Sequence, residues 1–95
     1  MERRRAVSYQ VDVPTPVRKE IASLPGYVRA EVRQLIRELQ QEPTPLRAKE
    51  LREKSNIYRI WLATKWRVAY QVDEESQRVL LLRVRLKKFM DYESL

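Results

Sequence analysis

The sequence contains no cysteine and no histidine, and its single glycine is Gly26. Without cysteine there is no disulfide, no thiol nucleophile and no thiolate metal ligand. Without histidine, acid–base chemistry falls to lysine, arginine, tyrosine or a carboxylate. One glycine cannot build a glycine-rich phosphate loop. The carboxylates of Asp73-Glu74-Glu75 cluster, but in a polar turn where solvation accounts for them. Neither a metal nor a cofactor is expected. No apolar run reaches the roughly 18 residues of a membrane-spanning helix, so no membrane association is expected. The opening Met1-Glu2-Arg3-Arg4-Arg5 is basic but has no apolar stretch behind it, so it does not read as a secretory signal. A chain without cysteine fits a reducing cytoplasm, its expected location.

The 95 residues are 43% hydrophobic. That is enough for one folded domain, expected to span residues 1–95, with one modest core. Lysine and arginine number 20 against 13 aspartates and glutamates, a net charge of +7. The excess points to a polyanionic partner, nucleic acid or an acidic protein. Net charge kept for solubility is the other explanation.

Residues 6–13 alternate apolar and polar, which predicts an edge strand with Val7, Tyr9, Val11 and Val13 on one face. Pro14 and Pro16 end it, and Pro16 suits the first turn of a helix capped by Thr15. That helix carries Val17, Glu20, Ile21 and Leu24. Pro25-Gly26 breaks it, and a second helix runs to about Gln41. Val28, Val32, Leu35, Ile36 and Leu39 form its apolar stripe, with Arg29, Arg33 and Arg37 as a basic ridge alongside. Glu42-Pro43-Thr44-Pro45 is a loop, and the charged residues 46–54 read as a tethered connection. Three strands follow, at 57–63, 66–72 and 78–85, with short polar links that argue an antiparallel meander.

Period two sorts each strand into two faces. Tyr58, Ile60 and Leu62 belong to the core side, as do Trp66, Val68, Tyr70 and Val72, and Leu80, Leu82 and Val84. Arg59, Trp61, Arg67, Ala69, Gln71, Val79, Leu81, Arg83 and Arg85 then face the other way. Arg59, Arg67, Arg83 and Arg85 on one face repel each other unless an anion such as a phosphate backbone neutralises them. Trp61 among them suits stacking on an unpaired base. Trp61, Arg83 and Arg85 are therefore candidate RNA-binding residues. The competing reading is a solvated sheet face with Trp61 packed under the C-terminal tail.

Several segments, taken in order, resemble the RelE/ParE toxin superfamily. They are Leu24-Pro25-Gly26-Tyr27-Val28-Arg29, Lys49-Glu50-Leu51, Ile57-Tyr58-Arg59-Ile60, Trp66-Arg67-Val68-Ala69-Tyr70-Gln71-Val72, Leu81-Leu82-Arg83-Val84 and the closing Tyr92-Glu93. The likeness covers about residues 7–93. It implies an α+β fold of order β-α-α-β-β-β, a helical hairpin on a mostly antiparallel four-stranded sheet, with a short C-terminal tail or helix. It also implies a partner antitoxin, acidic in its binding segment.

RelE-type members enter the ribosome and cut messenger RNA, with the 2′-hydroxyl attacking the adjacent phosphate. The ParE branch shares the fold and poisons DNA gyrase without catalysis. An inactive member would only bind its antitoxin. By this resemblance Arg59 and Arg67 fall on the family's first basic strand residue and on the arginine of the next strand. Lys87 or Lys88 falls on the basic residue after the last strand, and Tyr92 on the closing tyrosine. The family's second basic residue falls on Trp61, and the Gly-His of some relatives on Arg85-Leu86. A guanidinium holds its proton at neutral pH, so Arg59 and Arg67 have electrostatic roles. A lysine is the candidate base, and Tyr92 is the candidate acid or stacking ring, unless it is an ordinary tail residue. A charge reversal, Arg67→Glu, is expected to abolish toxicity with little effect on folding.

Overall fold

The computed structural model describes residues 8–95. The Met1–Arg5 run and Val7 lie outside them. The order is β1 (Gln10–Asp12), α1 (Thr15–Ala22), α2 (Gly26–Gln41), β2 (Lys49–Glu50), β3 (Ile57–Leu62), β4 (Trp66–Asp73) and β5 (Arg78–Leu86), followed by short 3₁₀ turns at Lys87–Phe89 and Tyr92–Ser94. The five strands lie in the order β1-β5-β4-β3-β2, antiparallel except where β1 runs parallel to β5.

The helical hairpin forms as its periodicity dictates. In α2 the residues Val28, Val32, Leu35 and Leu39 are buried, three and four apart, and Ile36 packs beside them. Pro25, rather than Gly26, makes the break. Its missing N–H cannot continue α1, and its carbonyl accepts from Val28 and Arg29 N–H at 3.0 Å. No glycine has a positive φ. Thr15 is the first residue of α1 instead of its cap, and no side chain caps that helix. Both helices cover one face of the sheet, where Val17, Leu24 and the α2 stripe meet Ile60, Leu62, Val68, Tyr70, Val72, Val79, Leu81 and Val84. Among the described residues no helix is long and apolar enough to cross a membrane.

Two further expectations are corrected. The connection at 46–54 contains a strand, β2, of which Lys49 pairs with Arg59 and Glu50 with Tyr58. This gives the sheet a fifth strand. The first half of β5 also has its faces exchanged. Val79 and Leu81 are buried in the core, while Leu80 and Leu82 are only half-buried. The cause is a bulge. Tyr70 pairs with Leu81 and Ala69 with Arg83, so Leu82 is an extra residue that resets the alternation. Past it, Val84 faces the core and Arg83 and Arg85 the opposite side, as the sequence predicts.

Candidate functional site

The face of the sheet away from the helices is organised in two rows. Lys49, Arg59, Ala69 and Arg83 lie across it in register, and Trp61, Arg67 and Arg85 form the next row. This face is not open along its whole length, because the chain after β5 folds back across it. Ala69 is fully buried although it lies outside the core. The tail is fastened by three cationic side chains. Arg67 Nη1 donates to the Tyr92 hydroxyl at 3.0 Å. Arg83 Nη1 donates to the Asp91 carbonyl at 3.3 Å and to Ser94 Oγ. Lys54 Nζ donates to the backbone oxygens of Glu93 at 3.0 Å and Leu95 at 2.8 Å.

Arg67 is the centre of the site. It is 5% exposed, the one charged residue buried among those described. Its guanidinium carbon sits 3.8 Å from the centroid of the Trp61 ring. Its Nε is buried with no hydrogen-bond partner. The ion pairs among the described residues go instead to Arg47 with Glu38, Arg78 with Asp12, and Arg85 with Glu20. A guanidinium taken out of water normally has a carboxylate against it, because the desolvation cost of a lone ion is several kcal/mol. Here one neutral hydroxyl and one aromatic face stand in for the carboxylate. Around Arg67, Arg59 is half-buried on the same face. Lys87 places its ammonium 5.3 Å from the Trp61 centroid, whereas Lys88 turns to the Phe89 ring, also at 5.3 Å. The result is a cluster of fixed cations and one hydroxyl, suited to an anionic ligand.

No protein-family model and no curated protein matches the chain. Solved structures do. A chain of the toxin–antitoxin complex RelBE2 from Mycobacterium tuberculosis is 28% identical, with a TM-score of 0.72 over 85% of this chain and 100% of that one. The isolated RelE toxin of E. coli is 26% identical, with a TM-score of 0.75 over 92% of this chain and 93% of that one. The RelE–RelB complex of Pyrococcus horikoshii shares the fold at 21% identity and a TM-score of 0.74. The chain belongs to the RelE-like toxin superfamily.

Within this RelE-like frame the expected site residues divide. Arg67, Tyr92, Trp61 and Lys87 come together, and Arg59 lies in the adjoining row. Arg85 does not join them. Its Nε donates to Glu20 Oε2 at 2.6 Å, and Glu20 Oε1 also accepts the Val84 N–H at 3.0 Å. That carboxylate from α1 closes the free edge of β5 beyond β1, and Arg85 serves the edge. Arg83 holds the tail, and the Lys88 ammonium lies over the Phe89 ring. Trp61 is neither covered by the tail nor free. It is 47% exposed with one face against Arg67. The supposed repulsion of four arginines is thus relieved within the protein at Arg83 and Arg85, and remains at Arg67 and Arg59. Two residues escaped the sequence reading, Glu20 and Lys54. Both act on partners distant in sequence, and no local pattern marks either.

Proposed function

We propose that this RelE-like chain is the toxin of a type II toxin–antitoxin pair and that it cleaves messenger RNA on the ribosome. The observation that carries the reading is Arg67, a buried guanidinium without a carboxylate, bonded to a tyrosine hydroxyl. A phosphodiester supplies the missing negative charge, and more of it as the pentacoordinate phosphorane forms. Donors fixed in place before the reaction stabilise that growing charge, each worth about 2.7–4 kcal/mol.

The 2′-hydroxyl oxygen attacks the adjacent phosphorus and loses its proton to the Lys87 nitrogen. The bond to the 5′ oxygen breaks, and that oxygen takes the proton of the Tyr92 hydroxyl. The products are a 2′,3′-cyclic phosphate and a free 5′-hydroxyl. Arg67 and Arg59 hold the non-bridging oxygens. Lys87 is preferred to Lys88 as the base on position alone, because its nitrogen lies over the same Trp61 ring that packs on Arg67. The partner is a cognate antitoxin whose acidic segment covers this basic surface and orders as it binds.

A second reading, poisoning of DNA gyrase by binding alone, draws support from Trp61, which stands where the family's second basic residue falls. Induction of the chain without its antitoxin separates the two. Protein synthesis stopping while plasmid supercoiling stays normal supports cleavage. Relaxed plasmid with synthesis continuing supports the gyrase reading.

A further inference from the structure

Beside the Arg67 centre lies a recess that shares Trp61 and Lys87 with it and extends away from Arg67. It measures about 670 Å³ and is lined by Trp61, Thr64, Lys65, Leu86, Lys87 and Lys88. That volume falls within the range of small-molecule sites. Arg67 is absent from its lining. The guanidinium packs on the Trp61 ring at 3.8 Å, the Lys87 ammonium stands 5.3 Å from the same centroid, and Trp61 also lines the recess. The ring is therefore held in place by a buried cation while 47% exposed to whatever enters.

The lining combines two chemistries. Trp61 and Leu86 offer apolar surface, and Lys65, Lys87 and Lys88 offer ammonium groups. None of these lysines takes part in an ion pair among the described residues. A purely apolar ligand would leave the lysines unused, and a free phosphate would leave the indole bare. A nucleotide satisfies both, with its base on the aromatic face and its phosphate among the cations. A paired base has no free face to offer, so the nucleotide must come from a single strand.

We infer that this recess holds one unpaired nucleotide of the RNA next to the cleaved phosphate, its base stacked on Trp61 and its phosphate between Lys65 and Lys88. This rests on the RNA-cleaving reading above and adds to it an anchoring subsite outside the reaction centre. Trp61 thereby replaces a charge at the centre with a stacking platform beside it. Lys65 and Lys88 act on binding.

The test uses the full chain and a fluorescent RNA trinucleotide with 2′-O-methyl sugars, which cannot be cut, read by anisotropy at low salt. Trp61→Ala should weaken binding about 5- to 150-fold, the range for loss of one stacked base. Trp61→Phe, which keeps a ring, should lose much less. An abasic trinucleotide should bind wild type and Trp61→Ala equally. Lys65→Ala with Lys88→Ala should lower the slope of log affinity against log salt by about 1.4, at about 0.7 per contact. The subsite is overturned if Trp61→Ala binds within twofold of wild type, if the abasic probe shows the same loss, or if wild type binds no trinucleotide. Translation arrest by the same wild-type preparation is scored separately. Arrest without Trp61-dependent binding removes the subsite alone, and no arrest removes the cleavage reading as well.

Discussion

Replacing Arg67 with methionine should separate stability from activity. The side chain is 5% exposed, its Nε has no partner, and its one hydrogen bond goes to the Tyr92 hydroxyl at 3.0 Å. Methionine fills much of the same volume without charge. The losses are the bond to Tyr92, about 1.5–3 kcal/mol for a charged donor, and the stack on Trp61, about 0.5–2 kcal/mol. Against them stands the desolvation of an unpaired guanidinium, several kcal/mol in effect. The terms nearly cancel, and the desolvation term is the larger. Arg67→Met should therefore unfold in urea within about 1 kcal/mol of wild type or above it, a midpoint within about 4–8 °C on heating. Translation arrest should fall by about 10²–10³, the usual effect of losing one transition-state donor. Destabilisation beyond about 3 kcal/mol would assign Arg67 a structural role and refute the reasoning. So would full activity in a stable variant. Burial also revises the expectation for Arg67→Glu. A glutamate there would bury a carboxylate, so that variant should lose stability along with toxicity and is the poorer test.

Three further outcomes follow from the fold. Glu20→Ala removes the acceptor of the Val84 N–H and the partner of Arg85, and should cost about 1–3 kcal/mol in urea unfolding. Thr64 has a φ of 61°, unfavourable for a β-branched residue, so Thr64→Gly should raise stability by about 1 kcal/mol. Tyr70 donates to the Pro43 carbonyl at 2.9 Å, and burial pushes its phenol well above the usual tyrosine range. A raised folded value means its contribution is complete below the unfolded pKa near 10 and is lost as pH climbs past it. Tyr70→Phe should thus be about 1 kcal/mol less stable than wild type at neutral pH. The gap should close in thermal unfolding above pH 10.

What the sequence made legible follows from where period and burial agree. The α2 stripe and the faces of β3 and β4 could be read because apolar and polar residues separate cleanly there. In β5 the run Val79-Leu80-Leu81-Leu82 is apolar on both faces, so alternation carries no information and the bulge at Leu82 stays hidden. Strand β2 consists of Lys49 and Glu50, with no apolar residue to mark it. Of the candidate site, the resemblance picks out Arg67 and Tyr92, whose side chains meet. The role of Arg85 was not legible. The carboxylate that takes that guanidinium comes from α1, 65 residues away. Nor could the burial of Arg67 be foreseen, because it depends on the tail folding back so that Tyr92 meets it.

The most direct test of the account is cell-free translation with purified protein, followed by mapping of the messenger ends. The account predicts that synthesis stops and that the messenger carries new 2′,3′-cyclic phosphate ends, formed only when ribosomes are present and about 10²–10³-fold more slowly with Arg67→Met. Continued synthesis with intact messenger, alongside inhibited gyrase supercoiling, would contradict it.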